Sequence, residues 1–144
     1  MIVSTDAIVL RTVNYSETSI IVTLFSKESG KIALMAKGAR KPKSPFSAQL
    51  EPMNILNINY FHKNERNIQL LKNSSFIENS MTIRENFDSL NYGLTIVEIL
   101  DKLFHENDTD PIIFRLSIKT LSSLKSSQIN YNIEFSFFLL QLSV

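Results

Sequence analysis

Ser19-Ile20-Ile21-Val22-Thr23-Leu24-Phe25, then Ser29-Gly30, then Lys31-Ile32-Ala33-Leu34-Met35-Ala36-Lys37, is the stretch whose reading decides the fold. The first run is β-branched and of strand length, and Ser29-Gly30 supplies a turn. In the second run Ile32, Leu34 and Ala36 share one face, as alternation along a strand requires. Upstream, Ala7-Ile8-Val9-Leu10-Arg11-Thr12-Val13 has the same character. Downstream, Ile55-Leu56-Asn57-Ile58-Asn59-Tyr60-Phe61 and Ile68-Gln69-Leu70-Leu71-Lys72 flank the polar turn Lys63-Asn64-Glu65-Arg66. Five short strands in about 70 residues predict a small closed or nearly closed barrel, because closure removes exposed strand edges.

The period then changes. Thr82-Ile83-Arg84-Glu85 fits a capping box at a helix start. Beyond it Asn91, Thr95, Glu98, Lys102 and His105 fall on one helical face, and Leu94, Val97, Leu100, Leu103 and Phe104 on the other. Asp110-Pro111 predicts the next helix start, an N-cap followed by proline in the first turn. In that helix Arg115, Lys119, Ser122 and Ser126 oppose Phe114, Ile118 and Leu121. The last segment, 133–142, carries Phe135, Phe137, Phe138, Leu139, Leu140 and Leu142 with few polar positions. A helix apolar on nearly all sides expects neighbours on most of them. The expectation is an α+β chain: a five-stranded barrel over residues 1–80 and a helical domain over 81–144. That domain is expected to be part of a larger one, with residues 131–144 prone to self-association.

Composition narrows the function. The sequence has 144 residues, enough to bury a core without metal or disulfide staples. It contains no cysteine, which excludes thiolate nucleophiles and cysteine-based zinc sites. No apolar run approaches the roughly 18 residues of a membrane span, and Met1-Ile2-Val3-Ser4-Thr5-Asp6 lacks the basic flank of a signal peptide. A cytoplasmic protein is expected. The overall charge of +1 hides a division: residues 1–72 carry +5 and residues 73–144 carry −4. Such asymmetry points to an anionic partner for the first half.

The densest chemical signal is Lys37-Gly38-Ala39-Arg40-Lys41-Pro42-Lys43-Ser44-Pro45-Phe46. Gly38, Pro42 and Pro45 keep this segment out of regular structure, and Lys37, Arg40, Lys41 and Lys43 can follow a phosphate backbone. Phe46, Tyr60 and Tyr15 are the aromatics available to stack on bases, although aromatics in such positions more often belong to the core. Enzyme signals are poor. His62 and His105 are isolated, the carboxylate cluster Glu98, Asp101, Glu106, Asp108 and Asp110 gives up Glu98 to an i,i+4 pair with Lys102 and Asp110 to a cap, and three glycines form no phosphate loop. A non-enzyme without metal or redox cofactor is expected.

A family resemblance runs through the first third of the chain. Ala7-Ile8-Val9-Leu10-Arg11, Tyr15-Ser16-Glu17, Ile21-Val22-Thr23-Leu24-Phe25-Ser26, Gly30-Lys31-Ile32, the run 36–44 and Leu50-Glu51-Pro52 together resemble the bacterial RecO family. Arg84-Glu85-Asn86-Phe87 continues the likeness more loosely. The resemblance implies an N-terminal OB-fold that binds single-stranded and duplex DNA, followed by a helical domain. It also implies a recombination mediator that anneals strands, binds single-strand-binding protein and works with RecR to load RecA. Lys37, Arg40, Lys41 and Lys43 match the family's basic loop and inherit its DNA contacts; Arg11 and Lys31 match less diagnostic positions, and Phe46 is added as a stacker. The sequence departs from the family at Ser16, where glycine is usual. It also lacks the further length and the cysteine zinc site that many members carry. The competing expectation is a protein-interaction adaptor whose barrel docks onto a partner without productive DNA binding.

Overall fold

The computed structural model describes residues 1–126 and 130–143. Five strands, β1 (Ile2–Asn14), β2 (Ile20–Ser26), β3 (Gly30–Ala36), β4 (Ile55–Phe61) and β5 (Gln69–Glu78), close into a barrel in the order β1-β2-β3-β5-β4. All neighbours are antiparallel except β3 and β5, which run parallel and complete the ring. Two strands are longer than the apolar runs suggest. β1 begins at Ile2 because Ser4, Thr5 and Asp6 pair with Asn59, Ile58 and Asn57 of β4. β5 continues through the polar Asn73, Ser74 and Ser75, which pair with the other side of β4.

β1 belongs to both halves of the barrel. Its first half pairs with β4 and its second with β2, and Ala7 and Ile8 pair with both. Between Val9 and Arg11 the register shifts, a bulge that adds one residue to the strand. Alternation on the strand serves two cores. Ala7 and Val9 point inward and join Val22, Leu24, Leu34, Leu56 and Ile58 inside the barrel. Ile8 and Leu10 point outward and pack with Phe25 and Ile55 beneath the helices.

The helical part comprises α1 (Met81–Arg84), α2 (Phe87–Leu103), α3 (Pro111–Ser123) and α4 (Tyr131–Leu142). The Thr82–Glu85 capping box does not form. Thr82 lies inside the short α1, Glu85 is its C-cap, and the long helix starts one turn later at Asn86, whose Oδ1 accepts from the N–H groups of Asp88 and Ser89 at 2.9 and 3.2 Å. Asn86→Ala should therefore destabilise the fold by about 1 kcal/mol in a denaturant titration, whereas Thr82→Ala should change little.

The apolar face of α2 is also rotated from the sequence expectation. Its buried residues are Ser89, Gly93, Ile96, Val97 and Leu100, while Leu94 and Leu103 are exposed. The cause is Gly93: a Cβ there would lie 2.4 Å from Met53 Sδ, so the helix brings its backbone against the loop before β4. His105 lies beyond the helix end. α3 starts as expected, with Asp110 Oδ1 accepting from Ile113 N–H at 3.0 Å ahead of Pro111. α4 buries Phe138 completely but leaves Ile133, Phe137, Leu139 and Leu140 exposed.

Candidate nucleic-acid interface

Residues 37–54 leave the end of β3 and return to β4, and local chemistry fixes their path. Gly38 takes a φ of +73°, a conformation that costs an L side chain energy. Successive turns follow, with Lys41 N–H donating to the Gly38 carbonyl at 3.0 Å and Ser44 N–H to that of Lys41 at 3.1 Å. Ser44 Oγ accepts from Phe46 N–H at 3.0 Å. Phe46 and Leu50 then insert into the barrel core, each 6% exposed. The far end is tied down by buried Asn54, whose amide donates to the carbonyls of Ala48 and Gln49 and whose Oδ1 accepts from Ser80 N–H. This anchoring leaves Lys37, Arg40, Lys41 and Lys43 on the exposed arm of the loop.

Arg40 has a structural task as well. Its N–H donates to the Thr18 carbonyl at 3.0 Å, and its guanidinium donates to the Ser16 carbonyl. The basic loop therefore clasps the β1–β2 turn, in which Tyr15 precedes Ser16 and is exposed. Ser16 sits comfortably in that turn, its Oγ accepting from the N–H groups of Thr18 and Ser19.

The structure separates the remaining candidates. Phe46 is in the core, so the stacking role expected of it is corrected: the loop needs an apolar anchor, and Phe46 is that anchor. Tyr60 is likewise buried, with its hydroxyl 2.7 Å from Ser29 Oγ. Tyr15, by contrast, is 61% exposed. Arg11 and Lys31 converge on Asp101 of α2, a carboxylate that nothing in the sequence distinguishes from its neighbours. Arg11 Nε lies 2.8 Å from Asp101 Oδ2, and Lys31 Nζ 2.9 Å from Oδ1. Lys31 also donates to the carbonyls of Asp101 and Phe104 at 2.6 and 3.4 Å. These carbonyls close the C-terminal end of α2, where a cation is favoured. Lys31 is thus withdrawn from the expected DNA contacts and joins the barrel to the helices. Arg11 keeps about half of its side chain in solvent.

Asp101 gives this junction a pH dependence. Burial opposes its charge, but hydrogen bonds from Lys31 and Arg11, with their positive charges, outweigh that and hold its pKa below the ordinary 3.8. A depressed carboxylate pKa stabilises the fold above the unfolded-state value and ceases to do so as pH falls through the folded-state value. Asp101→Asn should therefore cost about 1 kcal/mol at neutral pH, and this difference from wild type should shrink below pH 3.8. Chemical denaturation at a series of pH values measures it. A constant difference across that range would show that the pair of cations does not act through charge.

Comparisons with known proteins agree on one group. The family described as "Recombination protein O N terminal" matches residues 1–80, and "Recombination protein O C terminal" matches residues 84–144. Among curated proteins, the DNA repair protein RecO of Salinibacter ruber is 42% identical over 142 residues, which is 99% of this chain and 55% of that protein. That of Bacillus pumilus is 36% identical over 124 residues, covering 86% and 48% of the two chains. That of Chlorobium limicola is 31% identical over 142 residues, covering 99% and 54%. The chain spans about half the length of the curated relatives it matches.

Proposed function

The chain belongs to the RecO family, and from that premise we propose that it is a non-catalytic DNA-binding part of a recombination mediator acting in the cytoplasm. The observation that supports this most is the exposed run Lys37, Arg40, Lys41 and Lys43, held by buried anchors beside an OB-type barrel. A cluster of cations with a fixed backbone can follow phosphates of either single-stranded or duplex DNA without reading sequence. Two such strands held on one protein are brought close enough to anneal, and loading of RecA with RecR and single-strand-binding protein follows from the family likeness. In this reading residues 1–80 contact DNA and residues 81–144 form the base on which the barrel is mounted.

A second reading has its own observation. α4 presents Ile133, Phe137 and Leu140 to solvent around a shallow groove that Asn132 and Ser136 complete. Such a face suits an adaptor that docks on protein, another copy of this chain included. Fluorescence anisotropy with labelled single-stranded and duplex oligonucleotides at several salt concentrations separates the two. Salt-dependent binding of both, indifferent to sequence, is expected. No binding at low salt, with a mass that rises with concentration in light scattering, would favour the adaptor.

A further inference from the structure

The bulge in β1 places Leu10 and Arg11, neighbours in sequence, both on the outer side of the barrel. Leu10 goes under the helices, and Arg11 stands at their edge, where Asp101 of α2 meets it. The junction there holds two cations for one carboxylate. Lys31 is the fixed member: its side chain is 16% exposed, and besides Asp101 Oδ1 it has the carbonyls of Asp101 and Phe104. Arg11 is the loose one. Its side chain is 53% exposed, and it gives Asp101 a single hydrogen bond through Nε. Among the described residues, the two terminal nitrogens of its guanidinium have no hydrogen-bond partner.

That asymmetry makes the Arg11–Asp101 bond exchangeable. When Arg11 leaves, Asp101 keeps Lys31 at 2.9 Å, so no carboxylate is orphaned. An ion pair with one partner this exposed is weak in water. A phosphate offers the guanidinium two parallel hydrogen bonds, where Asp101 takes one.

β1 also links Arg11 to the basic loop. Four residues on, roughly 13 Å at ~3.3 Å each, lies Tyr15, and the carbonyl of the next residue, Ser16, accepts from the Arg40 guanidinium. A polyanion that follows the loop and runs a few nucleotides past this clasp meets Arg11. Of the charges on neighbouring turns of α2, Glu98 and Lys102 pair with each other at 2.7 Å and take no part in the exchange.

We propose that Asp101 is a built-in competitor for Arg11, an autoinhibitory contact through which the helical part restrains the barrel's hold on nucleic-acid phosphates. In the free chain the carboxylate occupies the guanidinium. When a strand seated on the basic loop reaches β1, Arg11 turns from Asp101 to a phosphate, and Asp101 stays on the barrel through Lys31 alone. This rests on the DNA-binding reading above and adds its regulation. The coupling is reciprocal. Bound DNA loosens the end of α2 from β1, and anything that tightens α2 onto β1 weakens DNA binding.

The test uses the full chain and a fluorescein-labelled oligothymidylate of about 15 nucleotides, with a duplex of equal length as the second probe. Asp101→Asn removes the competitor and should tighten binding of both about two- to fivefold. Glu98→Gln removes the same charge from the neighbouring turn of α2 and should give a smaller gain, which measures the general effect of lost negative charge. Arg11→Ala should weaken binding. Adding Asp101→Asn to Arg11→Ala should then gain no more than Glu98→Gln does, because the competitor has nothing left to withhold. Thermal unfolding checks that each variant is folded. A second measurement needs no change at position 101. In the isotope-labelled wild type, the Arg11 Nε–H resonance, identified by its loss in Arg11→Ala, should shift when unlabelled oligonucleotide is added. Four results would each overturn this proposal and leave the DNA-binding reading standing: equal gains from Asp101→Asn with and without Arg11, no gain beyond Glu98→Gln, wild-type binding by Arg11→Ala, or an unmoved Nε–H resonance at saturation. No binding of either probe by the wild type would overturn both together.

Discussion

Replacing Lys37, Lys41 and Lys43 together with alanine is expected to remove the larger part of the salt dependence of DNA binding. Each neutralised phosphate contributes about −0.7 to the log–log salt slope on single strands and about −0.9 on duplex. Removing three cations should therefore flatten the slope by about 2.1 and 2.7 respectively. Across a fourfold change in salt, single-strand affinity of the variant should vary about 20-fold less than that of wild type. Arg40 is left in place because it clasps the β1–β2 turn through the carbonyls of Ser16 and Thr18. Stability should change by no more than about 0.5 kcal/mol, as the three side chains are exposed. The weakening should be alike for all sequences. An unchanged slope would take the loop out of DNA binding, whatever happens to affinity at one salt concentration.

Phe25→Ala should be the most damaging single change to stability. Phe25 is fully buried on the outer side of β2 and packs on Phe104 and Phe114. Truncating such a ring removes its burial and leaves a cavity between two layers that cannot fully collapse, a cost of about 3–5 kcal/mol. For a chain of this size that lowers the melting temperature by roughly 10 °C or more. The unfolding should remain a single transition, because β1 alternates between the two cores: Ala7 and Val9 serve the barrel, Ile8 and Leu10 the helical layer. A destabilisation below about 1 kcal/mol, or a helical layer melting first, would show that the two cores are not coupled through this strand. Calorimetry decides both points.

Much of this architecture is legible in the residues themselves. The central parts of all five strands follow from β-branched runs and turn signals, and Asp110-Pro111 marks its helix start correctly. The likeness to the family is carried by residues 7–52, the part of the chain where such runs are densest. What escapes a reading of the residues has common causes. Ser4-Thr5-Asp6 and Asn73-Ser74-Ser75 look like loop, yet their backbone groups complete the ladders of a strand already in place, and pairing overrides their weak strand preference. Gly93 turns the buried face of α2 because what matters there is the absence of a side chain, which no hydrophobic pattern records. In the candidate site, charge and glycine–proline punctuation identify the loop but not its anchors, so Phe46 is named as a stacker even though a ring in such a position more often belongs to the core. Arg11, Lys31 and Asp101 are far apart in the chain, and their meeting depends on how a helix lies across a barrel.

The double pairing of β1 also has a consequence for synthesis of the chain. Residues 20–26 follow its second half almost at once and can form a hairpin with it as they emerge. The partner of its first half does not exist until residues 55–61 have been made. Ile8 meets Phe25 early but waits for Ile55, and at about 5–20 residues per second that gap lasts roughly 1.5–6 s. Throughout it, the stretch from Ile2 to Ile8 is an unpaired edge on a nascent ribbon, the kind of surface that recruits other strands. Ser4, Thr5 and Asp6, which hide this strand from the hydrophobic pattern, place polar groups and a charge on that edge during the interval. The residues that make β1 hard to read as a strand also keep its waiting edge from being taken by another chain on the ribosome.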